Sequence, residues 1–204
     1  MKLWLVTSLL VGYSEAARFL ALFPMASKSH HYVFRPIMET LGRRGHEVVY
    51  YTAYPYEGPV PAGIVQVDIS GELPDFHSTV NILDFVDTTI IEDMQKTFGF
   101  SFVLSKLILE CPTVQKLIHS DEKFDAVLFE SYVIQEYLSA FMHKFNAIGI
   151  DIVSVGDYAW MNELAGLSDN PSYQVDFKAE FTENMNFWER VHNTYVYAVS
   201  TIGG

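Results

Sequence analysis

Residues 18–52 read RFLALFPMASKSHHYVFRPIMETLGRRGHEVVYYT, and this stretch decides the fold class. Arg18-Phe-Leu-Ala-Leu-Phe23 is a short apolar run of strand length, closed by the small polar loop Pro24-Met-Ala-Ser-Lys-Ser-His30. From Tyr32 to Arg43, apolar residues recur at Val33, Ile37, Met38 and Leu41, the spacing of a helix with one buried face. Arg43 and Arg44 then fall in the last turn, where cations suit the helix dipole, and Gly45 follows as the left-handed stop. Val48-Val-Tyr-Tyr-Thr52 is β-branched and aromatic, so it reads as the next strand. Strand, helix and strand within this span make a β-α-β unit, whose two strands pair in parallel.

Outward from that unit the alternation continues. Residues 53–63 hold three prolines and read as a loop, and residues 64–68 alternate like a strand. Residues 76–119 have a helical pattern, expected in three pieces broken near Gly99 and Pro112. Phe124-Asp-Ala-Val-Leu-Phe129 is a strand that ends at Glu130. Residues 134–145 form a helix closed by Asn146, residues 148–153 another strand, and a final helix runs from about 183 to 199. The expected class is α/β: a Rossmann-like, mostly parallel sheet with helices on both faces.

The bulk numbers exclude several functions. At 204 residues, half of them apolar, the chain can build one well-packed domain. Its net charge of −12 would repel a nucleic-acid polyanion, and no basic cluster exceeds Arg43-Arg44. The single cysteine, Cys111, rules out an intrachain disulfide and multi-cysteine zinc. It sits in an apolar run before Pro112 and reads as a buried small residue rather than a nucleophile. Lys2, the apolar stretch from Leu3 to Tyr13 and Ser14-Glu-Ala16 have the form of a secretory signal over residues 1–16; a first β-strand is the alternative. No later segment offers about 18 uncharged apolar residues, so no membrane span is expected in residues 17–204.

In an open parallel sheet, ligands bind at the carboxyl ends of the strands. Two such ends carry reactive groups: Ser29-His30-His31 after the first strand, and Glu130 after 124–129. If both strands are central, His30 and Glu130 meet across the crevice. A carboxylate on one imidazole nitrogen fixes the tautomer and leaves the other nitrogen as a general base. The same residues are also compatible with simple helix-end capping and dipole complementation. There is no Gly-x-Gly-x-x-Gly after the first strand, no Gly-Lys-Ser/Thr phosphate loop and no Gly-x-Ser-x-Gly elbow, which disfavours dehydrogenase, kinase and lipase chemistry. His46 reads as structural, and His77, His119, His143 and His192 lack metal-ligand spacing.

Three stretches together resemble the animal UDP-glycosyltransferase family, particularly its insect members. They are Phe23-Pro-Met-Ala-Ser-Lys-Ser-His30 with Leu41-Gly-Arg-Arg-Gly-His-Glu-Val48; Phe124-Asp-Ala-Val-Leu-Phe-Glu130 with His143-Lys-Phe-Asn-Ala147; and Asp169-Asn-Pro-Ser-Tyr173 with Met185-Asn-Phe-Trp-Glu-Arg-Val191 and Asn193. The resemblance implies a two-domain GT-B architecture of which residues 17–204 are the N-terminal, acceptor-binding half. The C-terminal donor domain and membrane anchor are then expected to be absent, and the chain alone inactive. It implies inverting transfer of a hexose from a UDP-sugar to a hydroxyl of a small lipophilic acceptor, in the endoplasmic reticulum lumen or secreted. The family's catalytic histidine falls on His30, and His31 is a flanking residue. The partner aspartate falls on Glu130, a departure of one methylene, and Gln174-Val175 stand where relatives carry a proline-containing segment. No resident cofactor or metal is implied, since the UDP-sugar is a co-substrate. The partners would be the acceptor and a donor domain or full-length relative. A secreted lipophilic-ligand-binding module or a regulatory fragment without catalysis is the alternative.

Overall fold

The computed structural model describes residues 16–25, 27–74, 81, 88–132, 135–154, 161–162, 166–176, 179 and 181–203. The expected signal segment, apart from its last residue, lies outside these residues, as does the first part of the expected 76–119 helical run.

The β-α-β unit forms as the sequence indicates: β1 is Arg18–Phe23, α1 is Lys28–Arg43 and β2 is Glu47–Thr52. β3 (Ile64–Asp68), α2 (Ile90–Glu110), α3 (Pro112–Ile118), β4 (Ala126–Phe129), α4 (Ala140–Phe145), β5 (Ile148–Asp151) and α5 (Phe187–Gly203) follow. The five strands form one sheet in the order β3-β2-β1-β4-β5, and every pair is parallel. Chain direction across the sheet therefore reverses between β1 and β4, the place where an open parallel sheet leaves a crevice at its carboxyl edge.

Alternation along the strands divides the core into two layers. Leu20, Leu22, Val49, Tyr51, Val127 and Phe129 face Ile108, Val114, Leu117 and Phe141 on one side. Ala21, Phe23, Val48, Tyr50 and Leu128 face Phe34 and Met38 of α1 on the other. Helices on both faces make this a doubly wound α/β sheet.

Several boundaries differ from expectation, among them β4, which begins at Ala126, and β5, which ends at Asp151. α1 starts four residues early and buries His31, Phe34, Met38 and Gly42, whereas Val33 and Ile37 are exposed. Its orientation is set by the sheet: Phe34 stacks on Phe23 with ring centroids 4.0 Å apart, which turns the Val33–Ile37 row outward. α2 runs through Gly99 without a break. One glycine costs a helix only about 1 kcal/mol relative to alanine, and the Thr89–Glu92 capping box secures the start. The expected 134–145 helix is a 3-10 turn at Glu136–Ser139 before α4, although Asn146 does close it in the left-handed conformation at φ 51°. α5 begins at Phe187 because Asn186 caps it: its Oδ1 accepts from the N–H groups of Trp188 and Glu189 at 2.9 and 3.0 Å.

Close backbone approach holds α1 against the sheet edge. A Cβ at Gly42 would lie 2.3 Å from the Ala62 carbonyl oxygen, so only glycine lets the helix pack onto the loop entering β3. Gly45, with φ 90°, turns the chain into β2 as the cap pattern requires. Among the described residues no single helix is long and apolar enough to cross a membrane.

Candidate active site

β1 and β4 are hydrogen-bonded neighbours with Leu22 opposite Phe129, so the residues leaving both strands emerge side by side. α1 brings His30 back over that edge in its first turn, while Glu130 directly follows β4. Nδ1 of His30 lies 2.7 Å from Oε2 of Glu130. Glu130 is almost fully buried, with its side chain 4% exposed, and His30 is 12% exposed. The structure thus brings together the two residues singled out in the sequence.

It also supplies a third group that sequence reasoning missed. The Ser154 hydroxyl donates to Glu130 Oε1 at 2.6 Å, and the Ser154 backbone N–H donates to the same oxygen at 3.1 Å. Ser154 Oγ also lies 2.9 Å from His30 Nδ1. Only one proton arrangement satisfies all three contacts: Nδ1–H donates toward Glu130 and Ser154, and the hydroxyl proton goes to Glu130. In the neutral ring Nε2 is then the unprotonated nitrogen, and among the described residues it accepts no hydrogen bond. Ser154 follows the end of β5, the strand beside β4. The rule of carboxyl strand ends could have singled it out, but a lone serine in a loop has no distinctive spacing.

Aromatic contacts fix the imidazole plane. The ring stacks on Tyr132 at 5.3 Å and meets Phe34 edge-on at 6.3 Å. Leu22, Phe23, Met25 and Phe34 give the adjacent narrow crevice an apolar lining. Ligand pockets usually reach about 300–1,000 Å³ and this crevice encloses no such space, so these residues border the His30–Glu130 pair rather than form an acceptor pocket.

His31 has a different task. It is 1% exposed; the Tyr50 hydroxyl donates to Nδ1 at 2.5 Å, and Nε2–H donates to the Met25 carbonyl at 2.9 Å. Burial pushes its pKa down to about 4, the nearby Arg35 charge acting in the same direction, although the Met25 carbonyl pulls the other way. The ring is a neutral strut between α1, β2 and the β1–α1 loop. His46 is likewise structural, accepting the Ala17 N–H at 3.1 Å. Cys111 is buried and its thiol donates to Glu72 at 2.7 Å; burial raises its pKa, which keeps it inert.

The third quoted stretch is held by Asn193 of α5, which is fully buried. Its Oδ1 accepts from Asp176 N–H at 2.9 Å, and its amide donates to the Pro171 and Gln174 carbonyls at 2.7 Å each. Arg190 also donates to the Ser172 carbonyl. These contacts tie the 171–176 turn, including the departure at Gln174, to the last helix.

No family model matches the chain. It is 30% identical over 191 residues to UDP-glucosyltransferase 2 of Dactylopius coccus, covering 92% of this chain and 36% of that protein. It is 26% identical over 205 residues to 2-hydroxyacylsphingosine 1-beta-galactosyltransferase of Mus musculus, covering 95% and 36%. With the ecdysteroid UDP-glucosyltransferase of Mamestra brassicae nuclear polyhedrosis virus it shares 24% over 196 residues, covering 89% and 37%. The chain therefore spans little more than a third of the length of these relatives.

Proposed function

The chain belongs to the UDP-glycosyltransferase family, and on that premise we propose that it carries the acceptor-activating machinery of an inverting glycosyl transfer. The observation that carries this reading is the 2.7 Å contact between His30 Nδ1 and Glu130 at the sheet's switch point, with no hydrogen bond to Nε2 among the described residues. Glu130 holds the proton on Nδ1 and compensates the positive charge that develops on the ring. Nε2 takes the proton from an acceptor hydroxyl as that oxygen attacks the anomeric carbon of a UDP-sugar. The bond from that carbon to the UDP oxygen breaks on the opposite face, which inverts the configuration. Positioned base catalysis of this kind contributes about 10² to 10⁴ in rate.

The apolar rim of Leu22, Phe23, Met25 and Phe34 supports a lipophilic acceptor. On this reading the sugar nucleotide is a co-substrate, held mainly by the part of these relatives' length that the chain does not match. The signal-like residues 1–16 support delivery to the secretory pathway, into the endoplasmic reticulum lumen or beyond.

The test joins this chain to the part of the Dactylopius coccus UDP-glucosyltransferase 2 that it does not match, and follows UDP release from UDP-glucose with a phenolic acceptor. Turnover that His30→Ala abolishes supports the reading. Acceptor binding without turnover, unchanged in His30→Ala, would overturn it in favour of a lipophilic-ligand-binding module.

A further inference from the structure

We propose that Ser154 is a positioning residue that locks the Glu130 carboxylate and, through it, the His30 tautomer; this rests on the reading of His30 as the base. A glutamate reaching across the strand ends has three rotatable side-chain torsions, so burial alone does not settle which way its oxygens face. Ser154 settles it. Its N–H and O–H both converge on Oε1, at 3.1 and 2.6 Å, which leaves Oε2 directed at His30 Nδ1. The hydroxyl oxygen, having donated its one proton to Glu130, presents lone pairs to Nδ1 at 2.9 Å. Nδ1–H therefore has two acceptors and Nε2–H has none among the described residues, so the network selects the tautomer that leaves Nε2 basic.

The ladder itself delivers Ser154. Ile152 N–H donates to the Phe129 carbonyl at 2.8 Å, carrying the β4–β5 pairing past the end of β5 to the level of Glu130. In turn, Asp151 at that strand end accepts from Ser131, on the far side of Glu130 in sequence, through its N–H at 2.9 Å and its hydroxyl. Two reciprocal clasps therefore join the carboxyl ends of β4 and β5: Ser131 to Asp151, and Glu130 to Ser154. The base is held by this strand junction as well as by α1.

The experiment reads the His30 tautomer in the intact chain by long-range ¹⁵N–¹H correlation of the imidazole, above the ordinary histidine titration range. The expected result is a single Nδ1–H form in the unmodified chain. Ser154→Ala should convert it to a mixture in which Nε2–H is the major form, as in free histidine, while the backbone amide spectrum stays native. Ser154→Thr, which keeps the hydroxyl, should restore the single form. If Ser154→Ala does not fold, Ser154→Cys, similar in size but a weaker donor, carries the same comparison. An unchanged Nδ1–H signature in the hydroxyl-free or thiol variant would overturn the role of Ser154. Glu130→Gln separates the two claims: if it perturbs the tautomer while Ser154→Ala does not, the dyad stands and only the proposed clamp fails.

Discussion

His30 and His31 are adjacent on α1 yet carry their ring protons on opposite nitrogens. His30 presents Nδ1–H to Glu130 and Ser154, whereas His31 presents Nε2–H to the Met25 carbonyl and accepts from Tyr50 at Nδ1. Successive helical residues point about 100° apart, so one ring reaches the crevice while the next is driven into the core. On the proposed reading the pair separates chemistry from structure, and substitutions should separate them too.

At the crevice, His30→Ala should lower turnover of the joined two-part enzyme by about 10² to 10⁴. Glu130→Asp should lower it less, since the charge remains but the shorter side chain retreats from Nδ1 and the 2.7 Å contact lengthens. Steady-state UDP release measures both, and the effect should fall on kcat rather than KM.

In the core, His31 should make stability depend on pH. Its folded pKa of about 4 lies below the ordinary 6.5, so the unfolded chain binds the extra proton first. The stability this ring supplies is complete above about pH 6.5 and is lost as pH falls toward 4, to a limit of roughly 3 kcal/mol. Urea midpoints across that window should fall with acid, and His31→Gln should flatten the slope.

The same substitution should have opposite signs at two glycines. Gly42→Ala puts a methyl group 2.3 Å from the Ala62 carbonyl oxygen and should cost about 1–3 kcal/mol as α1 is pushed off the β3 loop. Gly99→Ala lies on an exposed helix face with no described atom within 4 Å, and should stabilise by roughly 0.5–1 kcal/mol. Chemical denaturation of the two variants decides the matter.

Removing the Asn193 amide should release the last helix. Asn193→Ala leaves the Asp176 N–H and the Pro171 and Gln174 carbonyls without this partner, and should cost about 2–4 kcal/mol. Hydrogen exchange should then rise in residues 171–176 and in α5 well before it rises in β1.

The strand positions and the parallel α/β class were legible in the residues because both are local properties. Apolar runs of strand length, a capped helix and Gly45 announce themselves within one β-α-β unit. The meeting of His30 and Glu130 was legible for a related reason: each directly follows a strand or opens the helix after it, and a parallel sheet gathers such ends on one edge. What the chain could not express locally was orientation. Val33 and Ile37 match a buried stripe as well as Phe34 does, and only the stacking of Phe34 on Phe23 chose between them. Gly99 looked like a break because its backbone entropy is a local cost, while the capping box and flanking turns that outweigh it are spread along the helix. Ser154 joined His30 and Glu130 only through strand order, which places β4 between β1 and β5. That order comes from packing two helical layers against the sheet, a property of the whole domain that no single stretch encodes.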